Sequence, residues 1–239
     1  MSQAESAPKA KSAVRARPAA RASTWRVVWD YLRAILLAVF FALLIRQFVI
    51  QAFRIPSGSM EKTLLVGDFL FVDKFVYGSK SPERIRVFNH TLASGLPVLK
   101  LPAIRQPRQG DIIVFQFPND PNQDYIKRCV AVAGDSVEVR EGVLYVNGSP
   151  YEERTWHDPV RLHNAPYNKT WPPPGQARPY VVPPGKIFMM GDNRYNSADS
   201  RAWGPLDLDL VKGRALFLYW SWDRDRLRPR LERIGRGLR

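Results

Sequence analysis

Apolar positions along the 239-residue chain change pattern twice. Residues 1–24 are mostly Ala, Ser, Lys, Arg and Pro, with almost nothing to bury, which predicts a disordered basic tail. Next comes "WRVVWDYLRAILLAVFFALLIRQFVIQAF". Its unbroken apolar core, Ala34 to Ile45, is twelve residues, whereas a membrane span needs about twenty. Extension back to Val27 supplies the length and takes in Asp30 and Arg33, which belong near the headgroups, where long side chains snorkel. Trp25, Trp29 and Tyr31 suit an interfacial belt. The pattern therefore predicts one transmembrane helix over residues 25–47. A buried helix of a soluble domain and a cleaved signal peptide are the alternatives, although no small-x-small cleavage site follows the apolar run. The basic flank places residues 1–26 in the cytoplasm and the bulk of the chain outside.

Beyond Leu64 the pattern turns to short alternating runs. "DFLFVDKF", "DIIVFQF", "DYIKRCVAVAG", "DSVEVR", "GVLYVNG", "KIFMMGD" and "RALFLYW" read as strands. Glu141-Gly142 and Asn147-Gly148 are hairpin signals beside them. No convincing helical period occurs after residue 53. The expected fold is mainly antiparallel β, over residues 48–222, behind a single N-terminal membrane helix. Residues 79–109 and the Pro-rich 150–180 read as loops or a lesser subdomain, and 223–239 as a basic C-terminal tail.

Charge sharpens this division. The formal net charge is +14. Residues 1–33 carry seven Lys/Arg against two acids, and residues 223–239 carry seven Arg against three acids. Charge gathered at both ends suits an anionic surface such as lipid. No zinc-finger spacing or aromatic-glycine RNA signature points to nucleic acid. Cys129 is the only cysteine, so an intrachain disulfide and cysteine-pair zinc sites are excluded. His90, His157 and His163 fit no metal-helix pattern and sit in stretches that read as loop. Neither a metal nor another cofactor is expected.

Three segments carry candidate chemistry. In "FRIPSGSMEKTL", Ser57-Gly58-Ser59 is either a plain turn or a nucleophile site, and a serine nucleophile needs a base. In "YIKRCVAVAGD", a strand would put Tyr125, Lys127, Cys129 and Ala131 on one face. There Lys127 either points to water or is desolvated, which lowers its pKa and makes a neutral amine available as a base. The third segment, "GDNRYNSADSRAWGPL", sets Asp192, Asn193, Arg194, Asn196, Ser197, Asp199, Ser200 and Arg201 between apolar anchors. It is either a solvated loop or the hydrogen-bonded support of a site.

Together, and in this order behind a membrane segment, these motifs resemble those of the bacterial type I signal peptidases. The resemblance implies that Ser59 is the nucleophile and Lys127 the general base. It makes Ser57 and the Ser59 N–H the oxyanion hole, and Ser197 the residue that orients the Lys127 amine. Asp199–Arg201 and Asp192–Arg128 would be supporting ion pairs. Ile55, Pro56, Met60, Leu64, Tyr125 and Ile126 would line shallow apolar substrate pockets. The substrate would be the signal peptide of an exported preprotein, bound as an added strand and cut after a small-x-small pattern. The site would lie near the bilayer on the outer side of the bacterial cytoplasmic membrane, because Ser59 follows Ile45 by fourteen residues, at most about 50 Å of chain. The sequence departs from the family in places. Lys62 stands where many members have Pro, the anchor is single where some have two, and the disulfide of some relatives cannot form.

Rival readings are a self-cleaving repressor-type Ser/Lys protease and a non-enzymatic envelope protein presenting a β domain to a partner. The membrane segment and the lack of a DNA-binding domain weigh against the first, and Ser59→Ala separates the second. A nucleotide-binding reading fails because Gly185-Lys186 lacks the upstream glycine of a phosphate loop.

Overall fold

The computed structural model describes residues 24–61, 63–78, 84–87, 90–94, 101–151 and 170–238. The chain divides into two units, residues 1–42 and 43–239. The first holds most of helix α1, Thr24–Phe48. The stretch Trp25–Arg46 is long and apolar enough to cross a membrane, and none of it is buried against protein. A soluble core helix would bury one face, so the unprotected leucines, isoleucines and phenylalanines of α1 call for lipid.

The second unit is built from antiparallel strands. These are β1 (Ile50–Arg54), β2 (Asp68–Asp73), β3 (Arg84–Val87), β4 (His90–Ser94), β5 (Ile112–Phe117), β6 (Asp120–Val132), β7 (Ser136–Arg140), β8 (Val143–Val146), β9 (Ser149–Pro150), β10 (Thr170–Trp171), β11 (Tyr180–Val181), β12 (Lys186–Met190), β13 (Leu206–Asp207), β14 (Val211–Asp223) and β15 (Arg228–Pro229). The main sheet runs in the order β1-β2-β14-β5-β6-β12-β13, with β15 against the end of β14. A second sheet runs β10-β7-β8-β9, with β11 also on β7, and β3-β4 form a separate hairpin.

The central strand β5 explains the core. Its "IIVF" run is buried throughout, because both faces of the sheet are covered. Ile112 and Val114 point to one cluster, with Ile55, Met60, Leu64, Leu70, Val72, Ile126, Ala215, Leu218 and Leu238. Ile113 and Phe115 point to the other, with Cys129, Ile187, Met189 and Leu206. A third cluster joins the second sheet to the main one through Val130, Ala131, Phe188 and Met190. The β6–β12 pairing slips between Phe188 and Met189. Such a bulge breaks the two-residue alternation. Ala131 therefore belongs to the third cluster, and only Tyr125 and Cys129 share the expected face with Lys127.

Two hairpin signals fall where the backbone needs them. Glu141, Gly142, Asn147 and Gly148 all have positive φ, at 50°, 81°, 52° and 76°, the conformation of two-residue turns that match strand twist. Several elements depart from the sequence-based expectation. Strand β1 lies hidden in the apolar run after α1, and His90 opens a strand rather than lying in a loop. Residues 223–238 of the expected tail are not free: β15 pairs with β14, Arg233 is buried, and Leu238 joins the first core cluster. The expected basic tail before α1 and the centres of the inserts 79–109 and 150–180, His157 and His163 among them, lie outside the described residues.

Candidate active site

Ser59 sits in a single 3₁₀ turn, Gly58–Met60, entered through an extended Ser57. The turn is anchored from below by Met60 and Leu64, both fully buried. Burial of each contributes about 1.5–3 kcal/mol, so the core fixes the turn while Ser59 remains half-exposed above it. The first amides of a helical turn, the Ser59 N–H among them, have no acceptor within the turn. Ser57, just before the turn, is exposed.

Lys127 arrives from β6. Its Nζ lies 2.6 Å from Ser59 Oγ and donates to the Ile126 carbonyl at 3.1 Å. The side chain is 3% exposed and also lies over the Tyr125 ring. Burial lowers its pKa from the usual 10.5 to about 8, against the opposing pull of Asp199 and Asp192. With the pKa at about 8, roughly one amine in ten is neutral at pH 7 and about half at pH 8.

The segment after β12 holds both partners in place. Asn193 donates its backbone N–H to the Ser59 carbonyl at 3.1 Å and its side-chain amide to the Gly58 carbonyl at 3.0 Å. Asp192 accepts from Arg128 Nε and the second guanidinium nitrogen at 2.8 and 2.7 Å, and from the Thr63 hydroxyl at 2.5 Å. Arg128 follows Lys127 in β6, so one buried carboxylate ties that strand to the segment just after Ser59. Asp199 pairs with Arg201 through two 2.8 Å bonds and accepts the Gly191 N–H at 3.1 Å. Trp171 of the second sheet donates to the Arg201 carbonyl at 3.2 Å. Arg194, buried behind this loop, donates to the Gly191 carbonyl at 2.9 Å.

These segments meet around a cleft of about 490 Å³ lined by Phe53, Pro56, Ser57, Gly58, Ser59, Gln123, Asp124, Tyr125, Ile126, Lys127, Asn196 and Ala198. Through Gln116–Ile113, β5 covers one edge of β6 from Asp124 to Lys127. On the other edge, β12 reaches no further than Arg128. Among the described residues, that second edge is unpaired beside the cleft.

Of the substrate-pocket residues named from the sequence, Pro56, Tyr125 and Ile126 line the cleft. Ile55, Met60 and Leu64 do not; they turn into the first core cluster, because the turn needs an apolar floor. Phe53, Asn196 and Ala198 occupy cleft positions that the sequence did not single out as contacts. Ser197 is buried close to Gly191, yet among the described residues its hydroxyl has no hydrogen-bond partner, and the expected bond to the Lys127 amine is not formed. Thr63 and Asn193 were legible only as polar residues near a motif; their roles as links depend on contacts across about 130 residues of sequence. Lys62 lies outside the described residues. Among the described residues, no group of three or more His, Cys, Asp or Glu side chains could hold a metal ion.

The family model described as "Signal peptidase, peptidase S26" matches residues 28–220. The chain is 35% identical to a signal peptidase I of Pseudomonas aeruginosa, over 86% of this chain and 78% of that protein. It is 33% identical to a signal peptidase I of Aquifex aeolicus, over 78% of this chain and 81% of that one. A crystal structure of a signal peptidase I from Enterococcus faecalis aligns at 28% identity and a TM-score of 0.34, covering 46% of this chain and 97% of that one.

Proposed function

The chain belongs to the signal peptidase family, peptidase S26, and on that premise we propose that Ser59 and Lys127 are the nucleophile and general base with which it cuts. The protein is a membrane-anchored serine peptidase that removes signal peptides, held by its N-terminal apolar helix. The observation that carries the residue assignment is the 2.6 Å approach of Lys127 Nζ to Ser59 Oγ at the floor of the cleft.

The chemistry follows from that pair. Neutral Lys127 takes the Ser59 proton as Oγ attacks the scissile carbonyl. The negative charge that develops on the carbonyl oxygen is met by the Ser59 N–H and the Ser57 hydroxyl. Lys127, now an ammonium, gives its proton to the departing amine, and the mature protein leaves. Water, deprotonated by the same lysine, then releases the signal peptide from Ser59.

The unpaired edge of β6 beside the cleft accepts an extended substrate as an added strand. The shallow walls at Pro56 and Ile126 favour small side chains at the first and third positions before the cut. The basic residues ahead of α1 orient the N-terminus to the cytoplasm, so the β unit works on the outer face of the cytoplasmic membrane. Purified full-length protein in detergent, incubated with a signal-bearing precursor, should yield one product, and N-terminal sequencing should place the cut after a small-x-small pattern. Ser59→Ala should yield none; turnover above background by that variant overturns the assignment.

A further inference from the structure

The loop between the nucleophile turn and β2, Thr63 to Gly67, has little regular structure of its own. Its order comes from Asp68, which is fully buried. That carboxylate accepts the Leu65 N–H at 2.8 Å and the Ser221 hydroxyl at 2.6 Å. It also accepts two bonds from Arg233, at 3.1 Å from Nε and 2.6 Å from the terminal nitrogen. The same terminal nitrogen donates to the Thr63 carbonyl at 2.9 Å. Arg230 adds a bond to the Val66 carbonyl at 3.2 Å.

Thr63 is the junction. Its carbonyl is held by Arg233, and its hydroxyl donates to Asp192, the carboxylate that binds Arg128 next to Lys127. Asn193, one residue further, holds the Ser59 carbonyl. A continuous set of hydrogen bonds, most of them charge-assisted, thus runs from the C-terminal segment through Thr63 to both sides of the Ser59–Lys127 contact. Backbone bonds fix the segment itself, from Arg230 N to Ser221 O at 3.0 Å, Gly235 N to Leu218 O at 2.7 Å and Leu238 N to Leu216 O at 2.7 Å. Leu238 supplies its apolar anchor beside Met60 and Leu64.

We propose that Arg233 is a positioning residue for the cleavage reaction: by gripping Asp68 and the Thr63 carbonyl together, it sets the Thr63–Asp192 link and hence the register of the nucleophile turn against the base strand. This rests on the reading of Ser59 and Lys127 as the reacting pair. Lysine keeps the charge but loses the Nε bond to Asp68, and with it the planar two-point grip that holds the terminal nitrogen between the carboxylate and the Thr63 carbonyl.

The test uses full-length protein in detergent and a signal-bearing precursor, with each variant assayed well below its own melting temperature. Arg233→Lys should lower kcat about tenfold and leave KM within about twofold, as expected for misalignment in the transition state rather than lost binding. Thr63→Val cuts the next link, carries the same expectation, and serves if Arg233→Lys does not fold. Val139→Ala destabilises through the core of the second sheet alone and should keep kcat within about twofold of wild type. Wild-type kcat in Arg233→Lys or in Thr63→Val overturns the proposal. So does a loss in Val139→Ala as large as that in Arg233→Lys, because lowered stability alone would then account for both. Lys127→Ala is assayed alongside: activity in that variant would overturn the reacting pair itself, a result distinct from any outcome at Arg233.

Discussion

At Lys127 two effects oppose each other. Burial disfavours the ammonium, while Asp199 and Asp192 favour it, and burial prevails to bring the pKa to about 8. That has a consequence for stability as well as for chemistry. Between about pH 8 and the ordinary 10.5, the unfolded chain holds this proton and the folded one has released it, so stability rises with pH across that window. Below it, both states are protonated and the full cost of the buried charge stands. Lys127→Met should therefore stabilise the protein most below pH 8, by on the order of a few kcal/mol, with the gain shrinking towards pH 10.5. Thermal melts of both proteins at about pH 7 and about pH 10 check this, and a gain that grows with pH contradicts it. Ser57 gives a second test at this scale. Ser57→Ala should lower kcat by about 10²–10³, the usual loss of one oxyanion donor, with KM changed far less. A loss confined to KM would make Ser57 a substrate contact instead. The sequence could name such residues because each sits in a motif. It could not tell which apolar neighbours face the cleft: Ile55, Met60 and Leu64 turn wholly into the first core cluster, whereas Pro56 lines the cleft and Ile126 borders both.

At the scale of elements, the loop after β12 is the part that sets the site. Gly191 starts it with no room for a side chain, since a Cβ there would overlap both the Ser197 side chain and the Ser59 carbonyl. Gly191→Ala should thus displace the nucleophile turn and lower kcat by at least about a hundredfold, the cost of a misplacement near 1 Å. Steady-state kinetics on a variant whose circular dichroism matches wild type measure it; near-normal kcat would mean that the loop yields without moving Ser59. Most strands were legible because alternation and turn residues agree, as in β7–β8, whose Asn147-Gly148 adopts positive φ. Two elements were not. Strand β1 continues an apolar run begun by the helix, so no change of period marks it. The C-terminal segment reads as solvated because it is rich in arginine, and its burial depends on an acid 165 residues away.

Across the whole molecule, this changes what the charge means. The basic excess after residue 223 is partly spent inside the fold, where Arg233 meets Asp68 and Arg230 meets Asp223. The proposed orientation then rests chiefly on the basic residues of the sequence ahead of α1. One chain thus joins a membrane helix to a β unit whose cleft opens on a Ser–Lys contact, and the central claim is that this contact does the cutting. The most direct test is the pH dependence of kcat/KM for precursor cleavage, which reports the ionisation of the free enzyme's essential base. In wild type it should rise with pH through an apparent pKa near 8, and in Lys127→Ala it should stay at background throughout. A rising limb near pH 6.5, the range of a histidine, that survives in Lys127→Ala would contradict the account.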